Sequence, residues 1–144
     1  IKMMKLSIFL LWVLSVTVNC KDPQLDGPID NFQNQHIIEG IPEGGCDDLI
    51  RIRKIKDNNN KCKIRNTFIN STFEKIKDIC HKNNSVYDND NLYKSPANMT
   101  ILHCKLSSEK NENTCKYNGT VTEKQIEIAC NNDLQPVHLA NNSE

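Results

Sequence analysis

The sequence predicts an α+β domain built on an antiparallel sheet, and three observations predict it. Apolar residues recur at helical spacing in the first half of the chain. They alternate with polar ones in the second half, and cysteines are spread through both. The length of 144 residues suits one domain and hardly two.

The elements follow in order. Ile29, Phe32, His36 and Ile37 share one helical face, which predicts a short helix over residues 29–38. The Gly/Pro-rich piece EGIPEGG, 39–45, is a loop. Asp47 and Asp48 open a second segment carrying Leu49, Ile50, Ile52 and Ile55, with basic residues at its end, the charge order a helix dipole favours. The run DNNNK, 57–61, stops it. Residues 62–69 (CKIRNTFI) predict a strand. A capping box from Ser71 to Glu74 then starts a third helix with Phe73, Ile76, Lys77 and Cys80. A polar loop, 81–91, precedes four alternating stretches: ANMTILHCKL, NTCKYNGTV, KQIEIACN and LQPVHLA.

Composition excludes several classes. With Lys plus Arg at 18 and Asp plus Glu at 18, the chain lacks the strong basic excess of a charge-driven membrane-lytic protein. There is no GxGxxG and no GxxxxGK[ST], which argues against a nucleotide-binding α/β enzyme. No apolar stretch reaches the roughly 18 residues of a membrane span.

Residues 1–20 are expected to be a secretory signal peptide, with 21–144 as a single domain. Lys2 and Lys5 precede an apolar run from Leu6 to Val18, and Val18 and Cys20 suit the positions before a cleavage site. Without that segment Cys20 is lost and Cys46, Cys62, Cys80, Cys104, Cys115 and Cys130 remain, the even set of a secreted disulfide framework. Spacing alone does not choose among their pairings. Loss of Lys2 and Lys5 leaves 16 basic against 18 acidic groups, a net of −2. Asn-x-Ser/Thr triplets at Asn70, Asn83, Asn98, Asn118 and Asn141 are candidate glycosylation sites, consistent with secretion.

The four histidines, His36, His81, His103 and His138, form no metal-binding pattern, and neither CxxC nor HExxH occurs, so no metal or other cofactor is expected. Taken singly, each reads as a structural histidine, His81 as a cation at a helix end. Their neighbours change that reading. Phe32-Gln33-Asn34-Gln35-His36, Cys62-Lys63-Ile64-Arg65-Asn66-Thr67-Phe68 and Pro136-Val137-His138-Leu139 together resemble the pancreatic ribonuclease A superfamily. Its pattern is F-x-x-Q-H, C-K-x-x-N-T-F and P-V-H in that order, and the resemblance spans about residues 29–140.

The resemblance implies three short helices packed on a bent antiparallel sheet. It also implies bridges Cys46–Cys104, Cys62–Cys115 and Cys80–Cys130, the three-disulfide arrangement of the angiogenin-like branch. Each closes a loop of 50 to 58 residues, for which the chain-entropy model gives about 4 kcal/mol as an upper estimate. The implied activity is metal-free endonucleolytic cleavage of single-stranded RNA on the 3′ side of pyrimidines, leaving a 2′,3′-cyclic phosphate. His36 would be the base, His138 the acid, and Lys63 the stabiliser of the charged phosphorane. Two imidazoles with pKa values near 6.5 suit that exchange. Gln35, Asn66, Thr67 and Leu139 would bind substrate, Gln35 through a phosphoryl oxygen and Thr67 through the base.

Three departures accompany the match. Ala140 stands where members often carry an acid that orients the second histidine, and His103 stands opposite Thr67 where Asp or Thr is common. Asn31 and Asn34 occupy helix positions that are often basic. With the acidic net charge, these imply modest catalysis, since nonspecific RNA affinity rests on Lys and Arg. The alternative reading is an angiogenin-like signalling or host-defence protein with low residual ribonuclease activity. A catalytically dead scaffold is a third. Further candidate partners are a ribonuclease inhibitor and a cell-surface receptor; no stable membrane insertion is expected, and a monomer is.

Overall fold

The computed structural model describes residues 27–81, 86–87, 91–111 and 114–140. The expected signal peptide and the candidate acceptors Asn83 and Asn141 lie outside the described residues. Helix α1 (Pro28–His36) opens with Pro28 in its first turn, where a missing N–H costs nothing, and Asp30 faces the positive end of the dipole. Ile37 is already extended, at φ −117 and ψ 127, so the helix stops two residues before the sequence predicts. Ile37 and Ile38 form β1, which pairs in parallel with Ile69 and Asn70 of β2 (Arg65–Asn70). Ile37 fits the helical spacing, but pairing with β2 buries both it and Ile38.

Helix α2 (Gly45–Ile52) carries Asp47 and Asp48 in its first turn and Arg51 in its last. Helix α3 (Phe73–Asp78) is capped by Thr72, whose side chain accepts from the Lys75 N–H, rather than by the Ser71–Glu74 box. The Ser71 N–H donates instead to the carbonyls of Ile38 and Ile69, which holds Ser71 at the end of the strand. The later strands are β3 (Val86–Tyr87), β4 (Leu92–Lys94), β5 (Met99–Asn111), β6 (Thr114–Lys124), β7 (Glu127–Cys130) and β8 (Pro136–Leu139). The first two modify the expected polar loop: β3 lies within it, and it joins β4 as an antiparallel pair.

Hydrogen bonding divides the strands into two four-stranded sheets, ordered β1-β2-β5-β6 and β3-β4-β7-β8. All pairs except β1–β2 are antiparallel. With three helices among the described residues, the architecture is α+β as the sequence predicts. Strand β2 shows why it does not alternate: both its faces are covered. Ile69 packs with Phe32, Ile101, Ile126, Ile128 and Leu139, whereas its neighbour Phe68 packs with Ile38, Ile50, Leu102 and Tyr117. Successive side chains on a strand point to opposite faces, so the central sheet has a separate apolar core on each side.

Three bridges tie these layers. Cys46–Cys104, Cys62–Cys115 and Cys80–Cys130 join with Cα separations of 5.8, 5.8 and 5.9 Å. Gly119 lies opposite Cys104 in the β5–β6 pair. A Cβ there would sit 3.0 Å from Cys46 Sγ, so a larger residue would press on the first bridge.

Candidate active site

The site is assembled from the end of α1, the segment leading into β2, and β8. Phe32 is buried one turn before His36, and their rings meet at 5.4 Å between centroids, so the helix is anchored by the apolar residue that precedes its histidine. His36 Nδ1 lies 2.8 Å from the Thr67 carbonyl oxygen. A carbonyl can only accept, so Nδ1 carries the proton and Nε2 keeps its lone pair. Burial disfavours the charged ring and pulls the His36 pKa down to about 4, well below the value near 6.5 expected from the sequence. The bond to Thr67 opposes that shift, while the charges of Lys63 and His138 reinforce it.

Lys63 does not lie on a strand. The expected strand begins only at Arg65, and Cys62, Lys63 and Ile64 form an approach held from several sides. Cys62 is bridged to Cys115, the Tyr117 hydroxyl donates to the Lys63 carbonyl at 2.7 Å, and the Leu106 N–H donates to the Ile64 carbonyl at 2.8 Å. The Lys63 ammonium then reaches back, donating to Asn66 Oδ1 at 2.9 Å and Gln35 Oε1 at 3.2 Å. Fully buried Asn66 completes the link by donating from Nδ2 to the Gln35 carbonyl at 2.8 Å. One carboxamide thereby fixes the end of α1 and the ammonium relative to each other.

His138 is exposed on β8, paired in register with Ala129. Its strand packs against α1, the helix that ends in His36, and its charge acts on that ring. Leu139, beside it, turns inward into the core with Ile69 and Ile101. Ala140, on the other side of Leu139, donates its N–H to the Glu127 carbonyl at 2.9 Å. Thr67 is fully buried, and its Oγ1 lies 2.9 Å from His103 Nδ1 across the β2–β5 pair.

Other candidates fall elsewhere. A cavity of 630 Å³ is lined by Gln33, Asn34, Ile37, Glu39, Arg53 and Phe73 and contains none of the three chemical groups. Asn98 and Asn118 are exposed, while Asn70 is half-buried with Oδ1 accepting from the Gly40 N–H. Two contributors were not visible in the sequence. Arg53 sits in a basic run that resembles a solvated helix face, yet its Nη1 donates to the carbonyls of Gln33, Asn34 and Ile37 at the end of α1. Tyr117 is the one aromatic residue of β6, and its buried ring places the hydroxyl on the Lys63 carbonyl.

The family model for pancreatic ribonuclease matches residues 27–140. The chain belongs to the pancreatic ribonuclease family. This ribonuclease-family chain is 38% identical over 114 residues to a pancreatic ribonuclease of Iguana iguana, covering 76% of this chain and 92% of that protein. It is 31% identical over 136 residues to angiogenin of Saguinus oedipus, covering 92% and 90%. Among solved structures, zebrafish RNase5 superposes with a TM-score of 0.73 at 32% identity, covering 83% of this chain and 97% of the other. Green turtle egg white ribonuclease gives 0.70 at 26%, covering 81% and 98%. Among the described residues, no helix of this family member is long and apolar enough to cross a membrane.

Proposed function

We propose that the protein is a secreted endoribonuclease that cuts single-stranded RNA on the 3′ side of pyrimidines by transphosphorylation, with no metal in the reaction. One arrangement supports this reading: the Lys63 ammonium donates to Gln35, the neighbour of buried His36, and β8, which bears His138, packs against the helix that ends in His36.

RNA brings its own nucleophile, the 2′-hydroxyl beside the scissile phosphate. His36 Nε2 takes that proton as the 2′-oxygen bonds to phosphorus. The bond from phosphorus to the 5′-oxygen breaks, and a protonated His138 gives its proton to the leaving oxygen. Charge balances: the imidazolium begins on His138 and ends on His36, and the product is a 2′,3′-cyclic phosphate. Lys63 supplies positive charge where negative charge gathers in the phosphorane, a task that favours a group already held in place. Gln35, tied to Lys63, turns to a phosphoryl oxygen, and the Thr67 hydroxyl reads the base.

Expected results are cleavage of a short pyrimidine-containing RNA in the presence of a chelator, none of the matching DNA, and loss of about 10²-fold or more in H36A and in H138A. Cutting that requires added Mg²⁺ would overturn the reading. A signalling or host-defence role with slow turnover is favoured by one observation, the low basicity of His36, since a weak base takes a proton less readily. A cellular response that survives in the H36A/H138A protein would select that second reading.

A further inference from the structure

We propose that Glu127 is the positioning residue of His138: its carboxylate, carried by the neighbouring strand, accepts from one ring nitrogen and aims the other at the leaving oxygen. This deepens the function proposed above and rests on His138 being its general acid.

The register of β7 and β8 places the two groups. Ile128 pairs with Leu139 and Ala129 with His138. The Ala140 N–H donates to the Glu127 carbonyl at 2.9 Å, which carries the pairing one step further and sets Glu127 beside Ala140. Ile128 and Leu139 point into the core. By alternation, Glu127, Ala129, His138 and Ala140 share the opposite face. They form the corners of one rectangle, with acid and imidazole on a diagonal and a methyl group at each remaining corner. Diagonal neighbours across an antiparallel pair lie about 7–8 Å apart, a span that long side chains close. Neither alanine is large enough to stand between them.

The surroundings favour this pairing. Glu127 is 9% exposed, so the water that would screen its carboxylate is largely kept away and its pull on a nearby N–H is strong. The register also sets Lys94 of β4 opposite Glu127 on that face, but Lys94 is exposed, where an ion pair is worth little. His138 is exposed too, on the strand that ends its sheet, so burial does not fix the rotation of its ring. An acceptor beside it does. The hydrogen bond made by one imidazole nitrogen decides the proton state and direction of the other. As an imidazolium, His138 donates from both nitrogens. One proton passes to the 5′-oxygen as its bond to phosphorus breaks, and the other stays on the nitrogen that Glu127 holds.

The test varies the leaving group, because an acid matters only where the departing oxygen needs a proton. The leaving group of UpA is an alkoxide that does; the para-nitrophenyl ester of uridine 3′-phosphate releases a stable phenolate that does not. The readout is the ratio of kcat/KM for UpA to that for the ester, on the disulfide-bonded protein near neutral pH. The ratio is expected to fall about 10- to 100-fold in E127Q, the effect of one hydrogen bond to a charged group. E127D should recover part of it, and E127Q/A140D, with the carboxylate returned at the facing corner, most of it. An E127Q ratio within about twofold of wild type overturns the inference, since a merely structural residue would slow both substrates alike. In the wild-type protein, nitrogen NMR shifts of the neutral His138 ring are expected to show one tautomer. Rapidly exchanging tautomers overturn the inference without any variant. An H138A protein whose ratio matches wild type is a separate result that removes the general acid, and this inference with it.

Discussion

Acidification should weaken this protein through His36, by an amount the structure sets. In the folded chain burial holds the ring near a pKa of about 4, against an ordinary value of 6.5. The unfolded state therefore binds a proton between those values that the folded state refuses. Stability contributed by the neutral ring is complete above pH 6.5 and is lost as pH falls toward 4. At about 1.36 kcal/mol per pH unit the loss is about 2 kcal/mol by pH 5 and about 3 kcal/mol near pH 4. Because the ring is only 7% exposed, solvent screening reduces this little. Urea unfolding of wild type and H36Q at about pH 7.5 and pH 5 isolates the effect, since the amide cannot titrate. The stability gap between the two should shift by about 2 kcal/mol in favour of H36Q on acidification. The same displacement moves the acid limb of kcat/KM, which reports the free enzyme, to near pH 4. Parallel pH dependence of the two proteins, within about 0.5 kcal/mol, together with an acid limb near the ordinary imidazole value, would refute the claim that burial controls this ring.

Three further outcomes follow from the same geometry. R53Q removes the guanidinium that holds the carbonyls of Gln33, Asn34 and Ile37, and should cost about 2 kcal/mol in urea unfolding while lowering cleavage, with R53K recovering only part. K63A should reduce single-turnover cleavage about 10²- to 10³-fold with far less effect on thermal stability, and K63R should restore some of the rate. The C80A/C130A pair opens a loop with a sequence separation of 50 and should lose up to about 4 kcal/mol, read as a lower urea midpoint than wild type.

Much of the candidate site was legible because its residues sit in short, ordered blocks. Gln35 and His36 close one block, Lys63, Asn66 and Thr67 share another, and His138 lies in a third, whereas Leu139, expected to bind substrate, turns into the core. Element existence was legible too, since α2 announces itself by acids first and bases last. Boundaries were not, for a tertiary reason each time. Ile37 suits a helix locally but is drawn into β1 by Ile69, and Lys63 looks like strand but is held off it by Tyr117 and the Cys62 bridge. The basicity of His36 could not be read either, because desolvation comes from residues distant in sequence that pack around it. Arg53 shows the limit most plainly: side-chain type signals a solvated charge, and only the approach of the end of α2 to the end of α1 turns it toward three carbonyls.

The order of the bridges has a consequence for durability against proteolysis. Each of the three joins a cysteine at or before position 80 to one at or after position 104. A protease that clips the chain once anywhere between those positions produces two pieces that stay shackled at three points. Parting them demands a reductant as well as the blade, and neither alone suffices.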